Sequence, residues 1–397
     1  MLCVFILCVL SLYWAVQFRV ESKLGHLKVL VVDFDSSPDA LVGPAVTDLA
    51  NQLASQEQTL GYTVRPPTDF TGPLGVVQDV HDQHCWAAII VSPDATSLLR
   101  NAIDGNTTYN PSDVAQFVYI SARDETTVSN YINPALNSFE LQLRAQFGPQ
   151  WVQSLAQQSI NFSSVPPQAV NPAIAFSELD LRPFRPSAVT PSVTIGLIYL
   201  IIIAFFNFPF IMPVHSMFLK GERPLKIPQW LLWRVISSIV AYFFLSLFYS
   251  FVSLAFQIPF SNSPAPDTVS ANNPNAYGKG SFVVFWMLNW VGMAALGFPC
   301  ENMAMILGFP YSSLFLIFWV ITNVSSGFYA LELAPRFFRW GYAWPLHRIV
   351  EALRTILFGT HSRIGLDFGV LFAWIAVSLA LFPFASFIMR WKMRKGL

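Results

Sequence analysis

Residues 1–18 (MLCVFILCVLSLYWAVQF) carry no charge. At about 1.5 Å per residue, such a run nearly crosses a hydrocarbon core of roughly 30 Å. It reads as a retained span and not as a signal peptide, because it has neither a basic leading segment nor a small-residue cleavage site. Residues 19–164 then have the mixed polarity of a folded domain, and residues 165–191 are rich in proline. Five further apolar segments follow, at about 192–214, 231–256, 281–299, 303–329 and 366–388. The pattern predicts an α-helical polytopic membrane protein with six transmembrane helices and one extracellular domain between helices 1 and 2.

Within that domain, Lys28 to Asp33 (KVLVVD) is an apolar run followed by Leu41, Val42, Ala45, Val46, Leu49 and Leu53 at helical spacing. The run Trp86 to Val91 and the run Phe117 to Ile120 each begin the same strand-then-helix sequence. Buried strands alternating with helices predict an α/β or α+β domain. Asp33 and Asp35, at the end of the first strand, suit either a cap for the next helix or a cation. Residues 165–191 contain Val165-Pro166-Pro167, Asn171-Pro172, Arg182-Pro183, Arg185-Pro186 and Thr190-Pro191, which predicts a stiff extended linker.

Composition excludes a soluble protein: 54% of residues are hydrophobic and 12% charged, against about 25% charged in soluble domains. The zero net charge conceals a split, because residues 19–191 hold 9 Lys/Arg against 17 Asp/Glu, leaving 14 against 6 elsewhere. An acidic domain beside a basic membrane region fits lipid headgroups as a partner and gives no support to nucleic acid. Cys85 is alone in the domain, so no disulfide forms within it. His81, Asp82, His84 and Cys85 supply metal-ligand types within five residues, but zinc wants four ligands in tetrahedral array. A solvated loop is the simpler reading, and no metal or cofactor is expected. The domain has no phosphate loop, no His-Glu-x-x-His and no Gly-x-Ser-x-Gly, so no enzyme is expected.

Sequons at Asn106 and Asn161 are expected to be glycosylated, while that at Asn323 lies in a span, out of reach. Counting crossings puts both termini and residues 220–226 in the cytosol, and residues 19–191 outside or in the lumen. Residues 220–226 and 390–395 are basic, as cytosolic segments should be. Residues 331–365 are expected outside yet hold five arginines. A helix at about 345–359 resolves this: its apolar face would lie in the membrane interface, with Arg348, Glu351 and Arg354 among headgroups. Asn207 (beside Pro209 and Pro213), Asn289, Asn323, Ser325 and Ser326 lie within spans. They serve either interhelical hydrogen bonding or a functional path. Glu301-Asn302 reads as the turn of the hairpin between the fourth and fifth spans, with a buried proton carrier as the alternative.

Ser325-Ser326-Gly327, then Glu332-Leu333-Ala334-Pro335-Arg336-Phe337-Phe338, Trp344-Pro345 and Glu351-Ala352-Leu353-Arg354, resemble the end of ABC-2-type transporter membrane subunits and of the bacterial phage-infection-protein family. The strands Val29 to Asp35 and Trp86 to Pro93 resemble the corresponding parts of those families. One span, a domain and five spans in that order resemble the fungal nitrosoguanidine-resistance family. The resemblance implies a plasma-membrane protein of toxicant or drug resistance, acting by export or by control of lipid distribution. The sequence departs from that family at its N-terminus, where the family usually has a cytosolic tail that is missing here. The chain has no Walker A sequence, so transport would use a separate ATPase or none. A homodimer forming a path between spans is the expected assembly. The alternative is a non-transporting scaffold or sensor acting through its outside domain and the surrounding lipid.

Overall fold

The computed structural model describes residues 2–37, 39–158, 165–220, 226–260, 277–308 and 310–395. The chain opens with helix α1 (Leu2–Ala15), continues into a sheet unit comprising Arg19–Pro183, and from Phe184 onward forms a helical unit that also includes α1.

The sheet unit holds β1 (Lys28–Asp33), α2 (Val42–Ala54), β2 (Gly61–Arg65), α3 (Pro73–His81), β3 (Ala87–Val91), α4 (Ala95–Ile103), β4 (Ala115–Tyr119), α5 (Asn133–Gln157) and β5 (Phe176–Asp180). Its sheet runs β2-β1-β3-β4-β5, parallel except for the β3–β4 pair. β3 is buried along its whole length, which is why it reads as an unbroken apolar run. On α5, Leu136, Phe139, Leu143, Phe147, Trp151 and Leu155 recur every three or four residues and are buried. Phe139 meets Tyr62 at 5.5 Å and Phe176 at 6.1 Å between ring centroids, and Phe176 stacks on Phe117 at 4.2 Å. The stretch expected to be a linker therefore supplies the fifth strand. Phe176 to Asp180 is free of proline, and Phe176 gains the Phe117 ring by pairing.

Asp35 does not cap α2 directly. Its carboxylate accepts from Thr96 N at 3.2 Å, and Thr96 Oγ1 accepts from the backbone N–H groups of Leu41 and Val42, at 2.8 and 3.3 Å. Thr96 thus relays the cap to α2. In the candidate metal cluster, His84 faces Asp79 at 3.2 Å and Cys85 is buried. Burial pushes the Cys85 thiol up to about 12, although Arg123, stacked on Trp86 at 3.8 Å, pulls the other way. The native thiol is thus held protonated more firmly than in the unfolded chain, and only thiolate reacts. Maleimide should leave Cys85 unmodified in folded protein and label it after denaturation, read by mass spectrometry of its peptide. Rapid native labelling would count against this packing.

The helical unit continues with α6 (Gly196–Lys220), α7 (Ile227–Ala255), α8 (Ser281–Leu307), α9 (Tyr311–Gly327), α10 (Pro345–Phe358) and α11 (Ile364–Lys395). Among the described residues, four helical stretches are long and apolar enough to span a membrane: Ser187–His215, Ile227–Ala255, Gly278–Leu307 and Ile364–Lys392. Leu2–Ala15 taken with Val20–His26 makes a fifth candidate. Helix α9 has only 17 residues, against about 20 for a full crossing, so length alone supports four or five spans where six were expected. The reason lies in α8, which runs through Pro299, Glu301 and Asn302 to Leu307 and ends at Gly308, a residue at φ 74°. Glu301 and Asn302 are therefore helical and buried, and are not a hairpin turn.

The helix expected in the interface is enclosed instead. Pro345 occupies the first turn of α10, Gly359 ends it at φ 69°, and eleven of its fourteen residues are buried, Arg348 among them. A Cβ added at Gly292 of α8 would sit 2.8 Å from Ile349 Cδ1, so α8 and α10 approach as closely as a glycine permits. The charged face of α10 is met by protein, because Arg348 pairs with Asp367 of α11.

Candidate functional site

Helix α7 has its polarity reversed relative to a soluble helix. Its buried positions are Trp230, Arg234, Ser238, Tyr242, Ser246, Ser250 and Ser253, while Leu232, Ile236, Val240, Phe244, Phe248 and Phe251 are exposed. A spacing of four, closing with three, keeps the polar groups on one face over about 35 Å of helix. That is roughly the thickness of a bilayer core. Such an apolar exterior is stable only against lipid, so α7 lies in a membrane.

Along this inward face, most of the polar groups meet a neighbouring helix. Arg234 donates to Glu301 of α8, and to Met305 Sδ at 2.9 Å, while Ser238 Oγ donates to the other Glu301 oxygen at 3.1 Å. The guanidinium lies against the rings of Trp230 (4.9 Å), Phe382 (5.1 Å) and Phe208 (5.2 Å). The pair is 0% and 2% exposed. Ion pairs this deep lose more hydration than their attraction returns unless every lone pair is used, and here the Arg234 Nε donor has no hydrogen-bond partner. One turn on, Tyr242 donates to Ala204 O at 3.3 Å and hydrogen-bonds Asn207, and Gly297 leaves its hydroxyl room that a Cβ would take. Further along, Asn289 Nδ2 donates to Ser250 Oγ at 3.0 Å, Ser250 to Ser246 O at 2.7 Å, and Ser192 meets Ser253 at 3.1 Å. Asn302 Nδ2 donates to Ser378 O at 2.8 Å. The amide oxygens of Asn289 and Asn302 are buried without partners. Between α6 and α7 lies a cleft of about 400 Å³, lined by Ile203, Phe206, Asn207, Phe210 and Leu245.

A second buried pair joins α10 to α11. Arg348 NH1 reaches Asp367 Oδ1 at 3.4 Å and its Nε donates to Tyr342 O at 2.6 Å. Glu351 and Arg354 pair at 3.1 Å along α10. Asn323 Oδ1 accepts from Leu346 N at 3.1 Å, capping α10, and its Nδ2 donates to Trp319 O at 2.9 Å. Ser325 and Ser326 donate to the carbonyls of Ile321 and Thr322. Asn323 therefore ties α9 to α10 while the two serine hydroxyls bond their own helix, and Asn207 and Asn289 join the seam along α7. Asn106 is exposed in the sheet unit, and Asn161 lies outside the described residues.

Sequence reasoning missed Arg234, Ser238 and Asp367, and took Glu301 for a turn residue. The signal was present as Arg234, Ser238, Tyr242, Ser246 and Ser250 at intervals of four within an apolar run.

No solved structure matches this chain. It is 27% identical over 410 residues to the uncharacterized endoplasmic reticulum membrane protein YJR015W of Saccharomyces cerevisiae, covering 94% of this chain and 76% of the relative. A lipid-facing α7 and a match over residues 1–380 lead to one conclusion: this integral membrane protein belongs to the family described as "Protein of unknown function (DUF3533)".

Proposed function

We propose that this protein is a membrane transport subunit of ABC-2-like architecture, without enzymatic activity of its own, that exports toxic compounds. The observation that carries the reading is the α7 seam, in which hydroxyls, two amides and an ion pair meet over the depth of a bilayer. Buried polar residues in spans are costly and mark paths and moving joints. Serine hydroxyls that bond their own helix can exchange partners when neighbouring helices shift, so the seam offers a joint with two hydrogen-bonded states. The resemblance to ABC-2 subunits adds a homodimer and a separate ATPase to this reading. Toxicant efflux should fall in cells lacking the gene, and return with the native gene but not with the Arg234→Met/Glu301→Leu double variant. Equal efflux with and without the gene would overturn it.

The same reading has six crossings, counting α1 and α9, and puts residues 19–191 on the lumenal side. The name of the yeast relative favours the endoplasmic reticulum over the plasma membrane for this chain as well. Asn106 is exposed and its sequon Thr108 lies beside it. In a eukaryotic host, Asn106 should carry a glycan, and Asn106→Gln should raise gel mobility by one glycan. Unchanged mobility would count against the lumenal placement.

A further inference from the structure

The cleft between α6 and α7 has one polar lining side chain, that of Asn207; the other four are Ile203, Phe206, Phe210 and Leu245. Its volume of about 400 Å³ lies in the range of small-molecule sites, which are mostly apolar with a few placed polar groups. Asn207 is 6% exposed, while Phe206 and Phe210 are 44% and 79% exposed, so the amide forms the floor and the rings form the mouth. No charged side chain is among these lining residues. A phosphate or ammonium head would surrender its hydration there without a counter-charge. A neutral head with one hydroxyl would not, because an amide both donates and accepts.

We infer that this cleft binds a neutral, bilayer-dissolved molecule with a bulky apolar body and a single hydroxyl head, the head on Asn207 and the body between Phe206, Phe210, Ile203 and Leu245. Two further features fit this occupant. Pro209 and Pro213 flank Phe210 and remove two N–H donors from the α6 ladder, so the wall carrying the rings yields more easily than a regular helix. Asn207 also hydrogen-bonds Tyr242, which stands on the α7 seam against Gly297 of α8. A head that takes a share of the Asn207 amide therefore alters the Tyr242 bond, and occupancy reaches the ion-paired end of the seam through α7. Such a molecule supplies a substrate class for the transport reading, and only its movement after binding rests on that reading.

The test uses the full chain in phosphatidylcholine nanodiscs with two photoprobes, a diazirine-bearing sterol and the matched hydrocarbon lacking its hydroxyl. The sterol should label peptides covering residues 203–210 at least tenfold more than the hydrocarbon. Asn207→Leu should bring sterol labelling down to the hydrocarbon's level. Leu245→Trp, which leaves the Asn207–Tyr242 bond intact, should abolish labelling by filling the cleft, so a folding defect at Asn207 cannot mimic the result. Equal labelling by both probes would reveal a groove for ordinary acyl chains and overturn the inference. So would labelling that ignores both substitutions, or no labelling of these peptides. Labelling without toxicant efflux would sink the transport reading and leave the site standing; efflux without labelling would do the reverse.

Discussion

Glu301→Leu alone is expected to destabilise the helical unit by about 3–5 kcal/mol, because it leaves a buried guanidinium without its counter-charge. Arg234 is fully buried, and its remaining contacts are the Met305 sulfur and three ring faces. None of these neutralises a charge. The Arg234→Met/Glu301→Leu double variant should recover most of the loss, since it removes both charges and keeps the volume apolar among Trp230, Met305, Phe382 and Met389. Unfolding free energies of the native, single and double forms in mixed micelles make a double-mutant cycle. A double variant no more stable than Glu301→Leu would mean that the pair is not the coupled unit the geometry describes. Stability restored without function would separate the structural role of the pair from its role in transport.

Phe139→Ala should cost the sheet unit about 3–5 kcal/mol, the range for deleting a buried aromatic ring. Phe139 is fully buried on α5 and touches Tyr62 of β2 and Phe176 of β5, the two edge strands. One ring thus ties the long helix to both ends of the sheet. Hydrogen exchange on the whole protein should show faster exchange in β2 and β5 together, with protection in α7 and α8 unchanged. A loss below about 1 kcal/mol, or exchange confined to one edge, would show that the gap closes by local collapse.

Much of this architecture is legible in the residues. Apolar runs of span length disclose α6, α7 and α11, and the apolar runs of β1 and β3 are those of strands buried on both faces. What stayed hidden depended on partners distant in sequence. The Arg348 face of α10 reads as interfacial because nothing local announces Asp367, 19 residues on. Glu301 reads as a turn residue because a carboxylate in an apolar helix makes sense only once Arg234 is beside it. Proline density masked β5, whose pairing with β4 is a long-range event. At the candidate site the amides Asn207 and Asn289 were visible as polar interruptions, but the charged end of the seam was not.

The Arg234–Glu301 pair joins residues separated by 67 positions. At 5–20 residues per second, a ribosome takes roughly 3–13 s to supply that interval. Throughout that delay, α7 has been made and its guanidinium has no carboxylate to meet. The cost of an unpaired buried arginine, which the finished protein avoids, therefore falls on the interval of synthesis between α7 and α8.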